Sequence, residues 1–199
     1  MEGWLEKNKD TLQDDLTSLM RSSTISILST VFAPPVPSHA DAEEERNDVG
    51  EVYSVPRVTK VAAKMGLKAG WAFDICIENE QGRAWDFTKL DARSRAARRV
   101  IEDKPLVLIG SPPCTDWSTI MKLNWNKMNP DEQAERRRIA KEHLAFCVEL
   151  HRIQIANGRY FLHKHPNAAT SWHEDMMKQL CNESGVITTM ADQCAYGLV

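Results

Sequence analysis

Two patterns of apolar and polar positions divide the chain near residue 50. Over residues 3–33 the apolar side chains recur every three or four positions, the spacing that places them on one face of a helix. The positions that form this stripe are Leu12, Leu16, Leu19, Ile27 and Val31. Asp10 is the predicted N-cap of the helix. The pattern therefore predicts an amphipathic helix over 3–33 that needs a partner surface.

Residues 34–50 have no such periodicity. Prolines open this stretch, an acidic cluster continues it, and apolar residues are scarce. A segment of this composition cannot bury enough apolar surface to form a core of its own. We therefore predict a first segment over 1–33, a linker over 34–50 and a second domain over 51–199.

Beyond residue 51, short apolar runs alternate with helical periodicity. Strands are predicted at 52–53, 71–77, 106–109 and 160–162, and helices at 58–67, 93–102 and 130–157. The clearest helix start is Asn129, a capping residue followed by Pro130 at the first helical position. Alternating strands and helices predict an α/β fold with a doubly wound parallel sheet, carrying an N-terminal helical appendage.

The most informative stretch is LVLIGSPPCTDWS, residues 106–118. Its apolar run is typical of a strand buried on both faces, and the two prolines that follow end the strand and stiffen the loop. Cys114 therefore lies just past the carboxyl end of a central strand, where open α/β sheets place their ligands. A stiff loop that presents one thiol suits a nucleophile. For an arbitrary Pro-Cys pair, a buried and inert thiol is the more common arrangement.

Composition and charge narrow the possible classes of protein. The 199 residues give room for one α/β domain and an appendage, and the hydrophobic content of 42% permits a sizeable core. The net charge is −3, with the first 50 residues acidic and the remainder mildly basic. Five widely spaced cysteines without a CxxC pair indicate reduced thiols in an intracellular protein. No apolar run approaches the ~20 residues of a membrane span, so no membrane partner is expected.

The segment GSPPCTDWS resembles the GPPCQxxS motif of cytosine-5 DNA methyltransferases. It is more similar still to the methyltransferase-like segment of retroelement-type polyproteins, and this resemblance extends from about residue 51 to the end. The resemblance implies a methyltransferase-like fold of mobile-element origin, S-adenosylmethionine as cofactor and nucleic acid (DNA) as substrate. It also implies that Cys114 attacks carbon 6 of a cytosine ring.

The resemblance places the cofactor near the ends of the first strands, at Ser54, Asp74, Asp86, Ser111 and Pro112. In the family a glycine-rich FxGxG loop admits the cofactor, whereas this chain has VYSVPR without a glycine. Asp74 would hold the ribose hydroxyls, although a solvated carboxylate at a strand end is equally plausible. Asp86 would lie by the adenine, but a turn-forming aspartate is the more common explanation of its position.

Methyl transfer to cytosine also requires a proton donor to the ring nitrogen. In the family this donor is a glutamate in an ENV or ENP motif, and here Lys164 of FLHKHP holds the corresponding position. His163 and His165 are the alternative donors. The chain ends before the arginine motif and the target-recognition region of the family, so the second domain resembles a truncated enzyme whose catalysis is impaired.

Other chemistry-bearing residues form no compact pattern. His163, His165, His173, Cys181 and Cys194 are possible zinc ligands, but their spacing fits no known zinc motif, so no metal site is predicted. The tryptophans Trp117, Trp125 and Trp172 could stack on bases, although packing beneath loops is the simpler expectation.

The first segment resembles a different family. GWLEKNKD followed by a helix ending in LSTVF is similar to the part of the myosin motor domain that precedes its actin-facing surface loop. Actin is therefore an alternative partner, and a fragment of an actin-based motor with a fused domain is the alternative function. The sequence contains no GxxxxGK[ST] loop, so this segment is not expected to hydrolyse ATP. A chimera of a mobile element and a motor gene is a third possibility.

Overall fold

The computed structural model describes residues 26–32, 46–125 and 127–192. The strands are β1 (Ser26–Phe32), β2 (Val49–Val52), β3 (Ala69–Phe73), β4 (Val107–Gly110), β5 (Tyr160–Pro166) and β6 (Val186–Asp192). The helices are α1 (Val58–Lys64), α2 (Leu90–Asp103), α3 (Thr119–Trp125), α4 (Pro130–Ala156) and α5 (Asp175–Cys181). Two short 3₁₀ turns lie at Thr115–Trp117 and Thr170–His173.

The strands form one mixed sheet in the order β3-β2-β4-β5-β1-β6. The first four strands in this order run parallel to one another. β1 lies antiparallel between β5 and β6. The carboxyl ends of β2, β4 and β5 therefore meet at one edge of the sheet, and the loops that follow these strands are neighbours there.

Helices cover both faces of the sheet. α1 packs on one face, where Ala62 joins Val49, Ile109 and Leu162 in a small apolar cluster. α2 and α4 pack on the other face, where the buried side chains of Val52, Ala96, Val100, Leu108 and Leu150 meet. α5 extends the core beyond α4 through Met177 and Leu180. This two-sided packing explains why β4 reads as an unbroken apolar run.

Local sequence signals set several element boundaries. The side chain of Asn129 accepts a hydrogen bond from the backbone N–H of Asp131, which caps α4, and Pro130 occupies its first position. α2 ends at Asp103, and the capping residue that follows, Lys104, has a left-handed backbone with φ of 47°. Gly158 adopts φ of 62° in the tight turn between α4 and β5.

The predicted α/β class with a parallel sheet and helices on both faces is confirmed. The predicted helix over 3–33 is wrong in the part that the structure describes, because Ser26–Phe32 forms strand β1; the earlier part of the helix lies outside the described residues. β2 begins at Val49, within the stretch predicted as linker. β3 ends at Phe73, four residues before the predicted end of that strand. The sequence patterns missed β6 and the short helices α3 and α5.

None of the described helices combines the length and apolar character that crossing a bilayer requires.

Candidate functional site

The loop that carries Cys114 lies at the carboxyl edge of the parallel strands. Gly110 ends β4 and pairs with Val52 on one side and with His163 on the other. The backbone N–H of Ser111 then donates to the carbonyl of Val52, at 3.1 Å. The thiol of Cys114 is partly exposed, at the start of the 3₁₀ turn that follows the two prolines. The predicted position of the cysteine, past the end of a central strand, is observed in the structure.

His165 ties this loop to β5. Its Nε2 lies 3.1 Å from the carbonyl oxygen of Pro112, and its Nδ1 lies 2.5 Å from the hydroxyl of Ser171. A carbonyl can only accept, so Nε2 carries the proton and Nδ1 accepts from the serine hydroxyl. The ring is buried, and burial lowers the pKa of His165 to about 4. A neutral imidazole in a fixed tautomer therefore holds the proline loop in place.

Lys164 lies near the cysteine on the other face of β5. Burial lowers the pKa of Lys164, and the electrostatic effect of Cys114 partly opposes this, so the two groups lie within electrostatic range of each other. The guanidinium of Arg57, at the start of α1, further lowers the pKa of Lys164. At this edge of the sheet, Lys164 is therefore within electrostatic range of both the Cys114 thiol and the Arg57 guanidinium.

A buried carboxylate that the sequence analysis missed supports the loop after β2. Glu51 is fully buried, and its Oε1 accepts from the backbone N–H of Thr59 at 2.7 Å and from the hydroxyl of Thr59 at 2.8 Å. Its Oε2 accepts from the hydroxyl of Ser54, also at 2.7 Å. Ser54, a predicted cofactor residue, is therefore engaged by the protein itself. The only sequence signal was an acidic residue inside an apolar strand.

The two predicted cofactor carboxylates, Asp74 and Asp86, bond within their own turns. Asp74 accepts from the backbone N–H of Cys76, at 3.0 Å. Asp86 accepts from the backbone N–H and hydroxyl of Thr88, and these bonds lower the pKa of Asp86. Both arrangements are the local turns that short acidic side chains commonly form.

The loop after β2 lacks the glycines that would let S-adenosylmethionine approach the backbone closely. Tyr53 takes the left-handed conformation there, with φ of 58°, which a glycine adopts without strain. Its hydroxyl bonds to His143 and its ring packs edge-on against Phe87, with centroids 4.7 Å apart. The side chains of Val55 and Pro56 follow. The loop after β2 therefore keeps its side chains, whereas a glycine-rich loop would expose bare backbone.

His163, a predicted catalytic residue, points to the face of β5 opposite Lys164, as strand alternation requires. Its Nδ1 lies 3.2 Å from Nε2 of His151 and 3.7 Å from Sγ of Cys147. Cys147 and His151 are one helical turn apart on α4, and all three residues are fully buried. These three side chains are the group in the described chain that could hold a metal ion. The sequence signal was the i, i+4 spacing of Cys147 and His151, which the sequence analysis did not use.

The three tryptophans are used in packing. Trp117 is buried in the core beside α4. Trp172 donates from Nε1 to the carbonyl of Pro166, at 2.8 Å. The guanidinium of Arg137 lies over the rings of both Trp117 and Trp125. This arrangement agrees with the simpler of the two expectations for these residues.

These features define an α/β protein with a parallel sheet and a partly exposed cysteine loop at its carboxyl edge. No family model matches the chain, and no solved structure matches it. A search of curated proteins finds Myosin-1 of Saccharomyces cerevisiae, which is 47% identical over 47 residues. That match covers 24% of this chain and 2% of the yeast protein. The comparisons therefore support a short myosin-like piece and give no support to the methyltransferase resemblance.

Proposed function

We propose that the α/β body is a methyltransferase-like domain that binds a nucleic-acid base at the Cys114 loop and does not complete methyl transfer. The observation that carries the proposal is the hydrogen bond from His165 to the carbonyl of Pro112. This bond fixes the loop of the thiol to the strand that carries Lys164. Cys114, the proposed nucleophile, and Lys164, the proposed proton donor, are thereby both held on rigid elements. A nucleophile and a proton donor that act on one substrate need such fixed positions.

The chemistry that these two residues can perform is addition to a cytosine ring. The thiolate of Cys114 forms a bond to carbon 6, the π electrons of the 5,6 double bond move into the ring, and Lys164 gives a proton to ring nitrogen 3. Loss of the same proton and cleavage of the carbon–sulfur bond reverse the addition. Without a methyl donor the cycle ends where it began. A half-buried lysine suits the donor role because burial, which lowers its pKa, makes it a stronger acid than a free lysine.

The cations at this edge support nucleic acid as the ligand. Lys164 acts electrostatically on the thiol, and the exposed side chain of Arg57 acts on Lys164, so an anionic backbone at this edge would meet two positive charges. The loop after β2 supports the second half of the proposal, because its sequence VYSVPR contains no glycine that would let a cofactor approach the backbone closely.

The first experiment measures thiol reactivity in the native chain. Iodoacetamide labelling, followed by mass spectrometry, should modify Cys114 at least about tenfold faster than Cys76. Cys76 is fully exposed, but its hydrogen bond with Asp74 and the charge of Asp74 raise the pKa of the Cys76 thiol and keep it protonated. A single-stranded oligonucleotide containing cytosine should slow the labelling of Cys114 and leave Cys76 unchanged. Equal labelling rates at Cys114 and Cys76 would exclude Cys114 as an activated nucleophile.

The matched variants are Lys164→Met and Lys164→Arg. Methionine keeps the length and apolar stem without the charge, so oligonucleotide protection of Cys114 should be lost. Arginine keeps the charge and should retain protection. Lys164→Met should also reduce the slope of log affinity against log salt concentration by about one. Protection that is the same in both variants would exclude Lys164 from the site.

The second experiment tests the cofactor. A ligand that binds the folded state raises the melting temperature by mass action. We expect no shift with S-adenosylmethionine or with its demethylated product. A saturable shift with either compound would show a cofactor site and contradict the impaired-enzyme proposal.

The match to yeast Myosin-1 favours a second candidate, binding to actin filaments through the myosin-like piece. Co-sedimentation of the full chain with filamentous actin tests this function. If actin is the partner, binding should be saturable and insensitive to ATP, because the printed sequence contains no phosphate loop. A chain that stays in the supernatant at all actin concentrations would leave the myosin-like piece as a sequence likeness alone.

A further inference from the structure

We propose that Cys147, His151 and His163 form a zinc-binding site in the core, between α4 and the middle of β5. This site is separate from the Cys114 edge and does not depend on the proposed function. Sγ of Cys147 lies 3.4 Å from Nε2 of His151 and 3.7 Å from Nδ1 of His163, and the two nitrogens are 3.2 Å apart. The three potential ligand atoms thus form a compact triangle.

The size of the triangle matches one face of a tetrahedral zinc site. With zinc–sulfur and zinc–nitrogen bonds of about 2.3 and 2.05 Å, tetrahedral angles give sulfur–nitrogen edges of about 3.6 Å and a nitrogen–nitrogen edge of about 3.4 Å. Each observed edge agrees with these values to about 0.2 Å. Thiolate and imidazole ligands favour zinc over magnesium or calcium, which prefer oxygen. Three protein ligands leave a fourth position for another donor.

The protonation states also suit a metal. His151 and His163 are fully buried, and a neutral imidazole offers a metal ion one nitrogen lone pair. Cysteine binds zinc as a thiolate, so the ion must displace the thiol proton of Cys147 on binding. A positive ion in this apolar setting is the partner that would stabilise a thiolate.

Without a metal ion, the two histidines of the triad cannot satisfy all of their hydrogen-bonding nitrogens. Nδ1 of His151 and Nε2 of His163 are buried without a hydrogen-bond partner in the described structure. If either neutral ring donates to the other across the facing nitrogens, one outer nitrogen keeps an unpaired N–H and the other keeps an unpaired lone pair. No choice of tautomers removes this mismatch. Hydrogen bonding alone therefore does not explain why these three potential metal-ligand atoms lie together.

Gly110 keeps space beside the triad. A Cβ at this position would stand 2.5 Å from Sγ of Cys147 and 2.9 Å from Nε2 of His151. These distances are too short for a carbon atom. The end of β4 must therefore present a bare backbone to the three ligands, and only glycine does so.

The experiment uses the full chain purified under reducing conditions, stripped with a chelator and titrated with Co²⁺, followed by competition with Zn²⁺. We expect about one equivalent of tight metal per chain. The Co²⁺ form should show visible absorption typical of tetrahedral coordination and a near-ultraviolet thiolate-to-cobalt band. Octahedral absorption, or a folded chain that binds no metal, would overturn the proposal.

Variants assign the ligands. Cys147→Ser should remove the thiolate band, and Cys147→Ser and His163→Gln should each weaken Zn²⁺ binding by at least about tenfold. Cys76→Ser and His173→Gln are the matched controls, because both residues are exposed and lie outside the triad. Their metal affinity should equal that of the native chain. If a ligand variant fails to fold, the thiolate band of the native chain still decides, because its absence in folded protein excludes Cys147.

Discussion

Glu51 is a fully buried acidic residue of β2. Its carboxylate accepts three hydrogen bonds. A buried carboxylate is costly unless its oxygens are satisfied, and here Thr59 and Ser54 satisfy them. The residue thereby caps the first turn of α1 and orders the loop after β2. This loop leads to Arg57, the cation that acts electrostatically on Lys164.

We predict that Glu51→Leu lowers the free energy of unfolding by about 3 kcal/mol, because it leaves the backbone N–H of Thr59 buried and unpaired. Glu51→Gln keeps one acceptor and should cost about half as much. Denaturant unfolding checks both values. Glu80→Gln, at an exposed position, is the control and should leave stability unchanged. Equal costs for leucine and glutamine would contradict the role of the cap.

His143 predicts a pH dependence of stability. Burial lowers the pKa of His143, Arg93 lowers it further, and the charges of Glu142 and Asp86 partly oppose this effect. The hydroxyl of Tyr53 contacts its Nδ1. Below about pH 6.5 the unfolded chain binds a proton that the folded chain does not, so stability falls as the pH decreases.

For this one proton the slope cannot exceed about 1.4 kcal/mol per pH unit. Chemical denaturation between pH 7 and pH 5 measures the slope, and His143→Gln should reduce it relative to the native chain. Glutamine can still accept from the hydroxyl of Tyr53, which makes it the conservative variant. A variant whose slope equals that of the native chain would exclude His143 as a contributor.

Some site residues follow from sequence and others do not. The Cys114 loop could be predicted because its apolar strand and prolines are contiguous. Lys164 could be expected at the same edge of the sheet as the Cys114 loop, because β4 and β5 are parallel neighbours. Cys147 and His151 could not be predicted, because their partner on β5 depends on how α4 is rotated over the sheet. Rotation of a helix is a tertiary property that local spacing does not determine.

At the scale of elements, β1 shows how tertiary pairing can override a local pattern. Its residues have apolar spacing compatible with a helix, yet Ser26–Phe32 pairs with β5 on one side and β6 on the other. The β-branched residues in SILSTVF suit such a strand. β6 was missed for a related reason: most of its side chains are exposed, so it lacks the apolar run of a buried strand. β4 and the first half of β5 were found because burial on both faces gives them that run.

We predict that Thr30→Pro detaches β6. Thr30 pairs with His163 in β5 and with Thr188 in β6, and proline removes its N–H and clashes with the ladder. Hydrogen exchange at the amides of β6 should become at least about tenfold faster, with β2 to β4 unchanged. Thr30→Val keeps the N–H and the β-branched side chain and should retain protection. Unchanged exchange in the proline variant would contradict the observed pairing.

The contact between β4 and α4 gives a second prediction at this scale. Gly110→Ala places a methyl group against Cys147 and His151, so it should lower the free energy of unfolding by about 1 to 3 kcal/mol. In a Cys147→Ala background the sulfur is gone, and the same change should cost less. Denaturant unfolding of the four chains gives the coupling energy. Additive costs would show that the glycine serves another purpose.

On the scale of the whole molecule, β1 links the two parts that composition separates. The acidic, proline-containing stretch 34–50 separates β1 from the rest of the chain in sequence. β1 nonetheless belongs to the same sheet as β2 to β6. Within the described residues β6 pairs only with β1, so the last strand of the sheet depends on the first. The division into 1–33, 34–50 and 51–199 remains a prediction about composition. The pairing of β1 indicates that the first segment contributes to the stability of the α/β body.

A chain that starts at Arg46 tests this dependence. Without β1, the backbone of β5 becomes an open edge of seven residues, Tyr160–Pro166. Open strand edges pair with other chains, so we expect concentration-dependent self-association in light scattering, whereas the full chain stays at its own mass at the same concentrations. A synthetic peptide of residues 26–32 should suppress the association by pairing with β5. The shortened chain would contradict this account if it stayed monomeric at every concentration and kept the hydrogen-exchange protection of β6, because β1 would then be dispensable for the sheet.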